Sequence, residues 1–164
     1  MLKNDGFTLT ELIIVVGIFG LLLGMAAIAA HDWLINAQVE DQMREMYADL
    51  TNARASAMQR NRVYFVRLAA NQYSLYEDTN PSPDGDGALQ TGQDRLALQR
   101  TTKFTLDAGG VTGFNFMTSG LASVTTTTFS VRGISTTSPG YDCILISATR
   151  ILMGKWDGTN CNAQ

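Results

Sequence analysis

Apolar positions along this chain follow three rhythms. From Leu12 to Ala30 the run LIIVVGIFGLLLGMAAIAA carries no full charge and is apolar all round, unlike an amphipathic helix. As a helix rising ~1.5 Å per residue it would reach about 28 Å, close to the ~30 Å hydrocarbon core of a bilayer. From Asp32 to Asn61 there is no Pro or Gly. Here Val39, Met43, Met46, Leu50, Ala53 and Ala57 recur at spacings of four and three, on one helical face. Glu40, Asp41, Arg44, Glu45, Asp49, Asn52 and Arg54 fall largely elsewhere around the cylinder. Good helix formers dominate, and Arg60 and Arg62 stand where the macrodipole favours cations. The two rhythms share one phase and predict a single helix of about fifty residues, roughly 80 Å long. A helix of that length with no internal cap calls for a membrane, a coiled coil or a filament.

After Asn61 the period falls to two. Val63–Leu68 and Gln72–Tyr76 flank Ala69-Ala70-Asn71 as a hairpin, and Thr79 to Gln93 reads as a loop rich in Pro, Gly, Asp and Asn. Further strands are predicted at Leu96–Arg100, Lys103–Leu106, Gly113–Met117, Val124–Arg132, Asp142–Ala148 and Ile151–Trp156. Their short connections imply antiparallel pairing, since parallel strands need long crossovers. The tract VTTTTFSV reads as an edge or half-exposed strand. The fold class is therefore α+β: a long N-terminal helix, membrane-spanning in its first half, packed on an antiparallel head of one sheet or two small ones.

Composition sharpens this picture. Hydrophobic residues make up 45% and charged residues 16%, and the net charge is −3. The apolar content excludes intrinsic disorder, and the net charge is no electrostatic match for nucleic acid or anionic lipid. One His and two Cys supply no zinc ligand set. His31 sits beside Trp33 at the end of the apolar run, where amphipathic rings mark a lipid–water boundary, and it has no Ser and Asp to form a triad with. Cys143 and Cys161 fit an oxidising compartment and allow one intrachain pairing, worth about 3 kcal/mol in the chain-entropy account. The other reading is two free thiols.

Asp78, Asn80, Asp84 and Asp86 invite a calcium reading, since hard cations take carboxylate and carbonyl oxygens. Against the D-x-[DN]-x-[DN]-G template, a start at Asp78 puts Ser82 fifth and Pro83 where Gly belongs; a start at Asp84 puts Ala88 fifth. Both frames fail, and a solvated surface loop is the favoured reading, with no other cofactor indicated. A secretory signal is the competing account of the front: Lys3, the apolar run, then Ala27-Ile28-Ala29 as a small-residue cleavage site. Glu11 at the start of the run and the in-phase helix beyond Ala30 argue against it. A carboxylate at the edge of a membrane segment is costly and calls for a partner.

Gly6-Phe7-Thr8-Leu9-Thr10-Glu11 followed by the apolar run resembles the class III leader and N-terminal helix of type IV prepilins and type II secretion pseudopilins. The segments LTNARASAMQRNRVY, FNFMTSGLA and ILISATRILMGKW are similar to those of the H-type minor pseudopilins and initiating minor pilins. Ile28 stands where many pilins have proline, and Thr149-Arg150 where this group often has Gly-Arg. The resemblance implies cleavage between Gly6 and Phe7 by a prepilin peptidase, N-methylation of Phe7, and a mature chain with Glu11 as its fifth residue. It divides the chain into a leader (1–6), a transmembrane and filament-core half-helix (7–30) and a periplasmic head (31–164). It also implies a bacterial inner-membrane protein, single-pass, passed by an inner-membrane assembly platform into a periplasmic or cell-surface filament of other pilin or pseudopilin subunits. The role is that of a structural subunit, not an enzyme.

Physical reasoning assigns Glu11 a role in that filament. Alone in an apolar core its charge would be costly, and the free amine of Phe7 on a neighbouring subunit is its natural partner, setting axial register. Two alternatives belong to other classes. A DNA-binding tip pilin has only Arg132, Arg150 and Lys155 in its support, too sparse to track phosphates. A soluble periplasmic protein with a conventional signal peptide is the other.

Overall fold

Both helical rhythms fall within one uninterrupted helix, α1 (Leu9–Arg60, 52 residues). The computed structural model describes residues 8–133 and 138–164, with residues 27–29 described by backbone alone. The chain divides into two compact units, one ending at Ile35 and the other running from Asn36 to Gln164.

In the first unit the apolar stretch of α1 is long and apolar enough to cross a membrane, and none of its described residues is buried in the protein. Leu12, Ile14, Phe19, Leu22 and Met25 all face outward.

In the second unit the rest of α1 joins, among the described residues, nine strands in two antiparallel sheets. The first sheet holds β1 (Tyr64–Ala69), β2 (Gln72–Glu77), β3 (Arg95–Thr101) and β5 (Gly113–Phe116), in the order β3-β2-β1-β5. The second holds β4 (Leu106–Asp107), β6 (Thr126–Val131), β7 (Cys143–Ser147), β8 (Ile151–Trp156) and β9 (Cys161–Ala163), in the order β4-β6-β7-β8-β9. Val39, Met43, Met46, Leu50, Ala53 and Ala57, the six residues of the predicted helical face, are all buried. They share the core with Tyr73, Leu75, Phe116, Phe129, Ile144 and Ile146. Phe114 links the sheets, with its ring edge-on to Phe116 at 5.3 Å and stacked on Phe129 of β6 at 5.9 Å.

Polar clamps fix the helix against the strands. The Tyr73 hydroxyl donates to Asp49 Oδ2 at 2.7 Å, and Arg100 Nε donates to the same oxygen at 2.6 Å while its Nη1 reaches Glu45 at 2.7 Å. Burial, then the Asp49 carboxylate, pushes the Tyr73 hydroxyl well above the usual phenol range. Gln42 explains a departure from the predicted strands, because Lys103–Leu106 is extended strand only from Leu106. The Gln42 side chain accepts from Phe104 N at 2.9 Å and donates to Phe104 O at 3.1 Å. Those backbone groups therefore bond to the helix, not to a ladder. The threonine tract is the open side of β6, since β4 pairs only with Ser130 and Val131. The strand β9 has no counterpart among the predicted ones.

Cys143 and Cys161 form a disulfide with Cα atoms 5.9 Å apart. Cys143 lies opposite Gly154 on β8, and Gly154 lies opposite Ala163 on β9. A Cβ on Gly154 would stand 2.4 Å from the Asn162 carbonyl oxygen, so only glycine lets β9 lie this close.

Asp142 precedes β7 and accepts from Trp156 N at 2.6 Å. Burial pushes its carboxyl above the usual range, although that N–H and Lys155 oppose the shift. Because the folded group titrates above the unfolded one, the stability it contributes is full at low pH and is lost as pH rises through the raised folded value. Asp142→Asn keeps the acceptor and removes the charge. Its melting temperature should therefore exceed that of the parent by a few degrees at pH 7, and the difference should close as pH falls below the carboxylate range. Melting of the full chain in detergent at both pH values measures this; an unchanged difference would assign the shift elsewhere.

Candidate functional site

The start of α1 brings together the chemistry that the sequence singles out. Thr8 caps the helix: its Oγ1 accepts from Glu11 N at 3.3 Å, and its carbonyl accepts from Leu12 N at 3.2 Å. Thr8-x-x-Glu11 therefore has the spacing of a capping box. Only the forward arm is made, and the Glu11 carboxylate takes no hydrogen bond from the protein among the described residues. Glu11 is exposed in the first turn, where the macrodipole favours an anion. The cap was not singled out in the sequence, although a Thr three residues before a Glu is its ordinary signal. Gly6 and Phe7, the residues of the expected cleavage and methylation, lie outside the described residues.

The acidic loop is held by its own backbone. Asp78, buried, accepts from Gly87 N at 2.7 Å and from Asp86 N at 3.3 Å. Burial raises its carboxyl pKa, against the lowering by those two N–H groups. Asp86 in turn accepts from Ala88 N at 2.9 Å and from the Gln90 side chain at 2.8 Å, while the Asn80 amide donates to Gln90 at 3.4 Å. Asp84 is exposed at the tip. Among the described residues no three His, Cys, Asp or Glu side chains are arranged to hold a metal. Asp94 is the member that sequence reasoning missed. Buried across the loop, it accepts from Thr79 N, Asn80 N and Gln90 N at 3.0, 3.2 and 2.7 Å. A lone Asp after a Gly-rich loop carries no signal of that role.

At the loop's base Glu77 is buried and meets three guanidinium groups: Arg60 at 3.2 Å, Arg95 at 3.3 Å and Arg62 at 3.4 Å. Arg62 also donates to the Pro83 carbonyl. This cluster ties the end of α1 to the ends of β2 and β3.

The three basic residues that supported a nucleic-acid reading do not form one free patch. Arg132 pairs with Asp107, whose carboxyl is held below the usual range by the Gly109 N–H and then by Arg132. Lys155 donates to Ser138 Oγ at 2.6 Å, and Arg150 stands exposed in the β7–β8 turn.

The model of the family described as type II transport protein GspH matches residues 42–149, and that of the prokaryotic N-terminal methylation motif matches residues 1–27. No curated protein matches the chain significantly. Among solved structures, the type IV minor pilin FimU of Pseudomonas aeruginosa is similar with a TM-score of 0.54 and 18% identity, over 71% of this chain and 88% of that one. The minor pseudopilin EpsH from the type 2 secretion system of Vibrio cholerae is similar with a TM-score of 0.51 and 12% identity, over 75% of this chain and 99% of that one. At these identities the two structures speak for a shared fold. With the family model spanning most of the head and the methylation motif at the front, the chain belongs to the GspH family of type II transport proteins, within the type IV pilins and pseudopilins.

Proposed function

We propose that the chain is a minor pilin or pseudopilin, a structural subunit held in the inner membrane by residues 7–30 with residues 31–164 as its periplasmic head. A prepilin peptidase removes residues 1–6, Phe7 is N-methylated, and an inner-membrane platform moves the subunit into a type IV pilus or type II secretion filament. The observation that carries this reading is a coincidence of position. The methylation motif of residues 1–27 overlies a helical stretch whose described apolar side chains are exposed. That surface needs lipid before assembly and neighbouring helices after it, so one segment serves two environments in turn. Glu11, capped by Thr8 through its backbone alone, keeps its carboxylate for the Phe7 amine of an adjacent subunit. Leader removal is then the switch, because that amine does not exist until the Gly6–Phe7 bond is cut. Cys143–Cys161 suits the oxidising periplasm.

Intact-mass measurement of the membrane-extracted protein tests processing. The expected mature terminus is methylated Phe7; a terminus near Ala30 would replace the reading with that of a conventional signal peptide.

A further inference from the structure

Three sequence-distant segments meet beside the last turns of α1. Arg54 Nη1 donates to the Thr149 carbonyl in the β7–β8 turn at 2.7 Å. The Met58 thioether lies over Gly120, in the space a side chain there would need. The turn around Gly120 closes through Met117 N donating to Leu121 O at 2.8 Å, and Ala122 N donates to Ala148 O at 2.9 Å. The surface so formed exposes Met58 by 49%, Met117 by 43% and Leu121 by 40%, a concentration of large apolar side chains on the head. Thioethers are flexible and polarizable, which suits a surface that must fit a partner rather than a fixed core.

Its rim is basic. Among the described residues Arg54 and Arg150 have no carboxylate partner, and neither has Arg67 on β1, whereas Arg44, Arg60, Arg62, Arg95, Arg100 and Arg132 all do. The head helix is itself polarised: residues 32–49 carry five acids and one base, residues 50–62 three bases and no acid. Asp41 and Glu45 in the acidic stretch are exposed. An apolar patch with unpaired guanidinium groups at its edge calls for an apolar occupant with carboxylates. The acidic half of a helix built like this one is such an occupant, since it exposes Trp33 and Leu34 as well as the carboxylates of Asp41 and Glu45.

We propose that the Met58–Met117–Leu121 surface, with Arg54 and Arg150, receives the acidic stretch of the head helix of a neighbouring pilin-like subunit. Axially staggered helices then meet basic end to acidic end, which adds a specific side contact to the packing of the apolar cores. This inference rests on the subunit reading above and names the surface through which that subunit recognises a neighbour.

The test is site-specific photo-crosslinking of the full chain in its native cells, with p-benzoylphenylalanine at Met117 and, separately, at Phe19 in the apolar stretch. Retention of the Cys143–Cys161 bridge on non-reducing gels certifies each variant as folded. The expected Met117 adduct maps by mass spectrometry to the acidic head-helix stretch of a pilin-like chain, another subunit or a second copy. It should fall about fivefold with Arg150→Glu, whose side chain makes no contact needed for folding, and stay unchanged with Lys155→Glu. An adduct that maps elsewhere, or that ignores Arg150→Glu, overturns the inference. A Phe19 adduct with pilin-like chains but none from Met117 overturns it while leaving the subunit reading in place. Silence from both positions removes the two together.

Discussion

Leu50→Asp should unfold the head at physiological temperature. Leu50 is fully buried in the middle of the helical face that runs from Val39 to Ala57. The substitution removes an apolar side chain from that core and places an unpaired carboxylate there, with desolvation costing several kcal/mol on its own. Together the losses exceed about 4 kcal/mol, against a total stability for a domain of this size of roughly 5–15 kcal/mol. Thermal melting of the full chain in detergent should lose its cooperative transition, and Cys143 and Cys161 should remain partly reduced in cells. Asn52→Asp, two residues along on the exposed face, adds the same charge and should leave the melt unchanged. Equal melts for Leu50→Asp and the parent would place the core on another face.

Glu11→Ala should leave the chain in the membrane and keep it out of filaments. Insertion is not impaired, because losing a charge at the edge of the apolar stretch only favours lipid. On the proposed pairing, assembly should suffer because the amine of a neighbouring Phe7 would be buried without a counter-charge, a loss of about 3–5 kcal/mol for a buried pair broken on one side. Glu11→Gln keeps a hydrogen-bond acceptor without the charge and should fall between the two. Helix capping does not confuse the result, since Thr8 holds the first turn through the backbone N–H of residue 11, which both variants keep. The measurement compares the membrane pool with sheared or extracted filaments at equal expression. Normal incorporation of Glu11→Ala would refute the pairing. A subunit that sits only at a tip lacks a neighbour on one side, and there the defect is counted as fewer filaments.

The features legible in the residues are the local ones. A period of 3.6 belongs to the chain itself, so the six buried positions of α1 follow from spacing alone, as does the apolar stretch that precedes them. The N-terminal methylation motif, matched over residues 1–27, is equally local, because it is a pattern of consecutive residues. Most strands declare themselves through alternation and β-branched content. Cys143 and Cys161 have one intrachain partner each by counting.

Other features depend on where turns deliver distant backbone. Gln42 takes the hydrogen-bonding groups of Phe104 and shortens a strand, a competition that no window of the sequence contains. Asp94 and Glu77 look like surface acids; one gathers three backbone N–H groups and the other three guanidinium groups, because loop closure brings residues from 60 to 95 to one place. The division into two sheets, the short β9 behind Gly154, and the meeting of Met58 with the turn at Gly120 have the same origin. Pairing and burial across the fold are set by the free energy of the whole packed head, in which a polar group takes whichever partner spares it from desolvation. The chain's own pattern specifies how each segment is shaped, and only the packed head decides which segments meet.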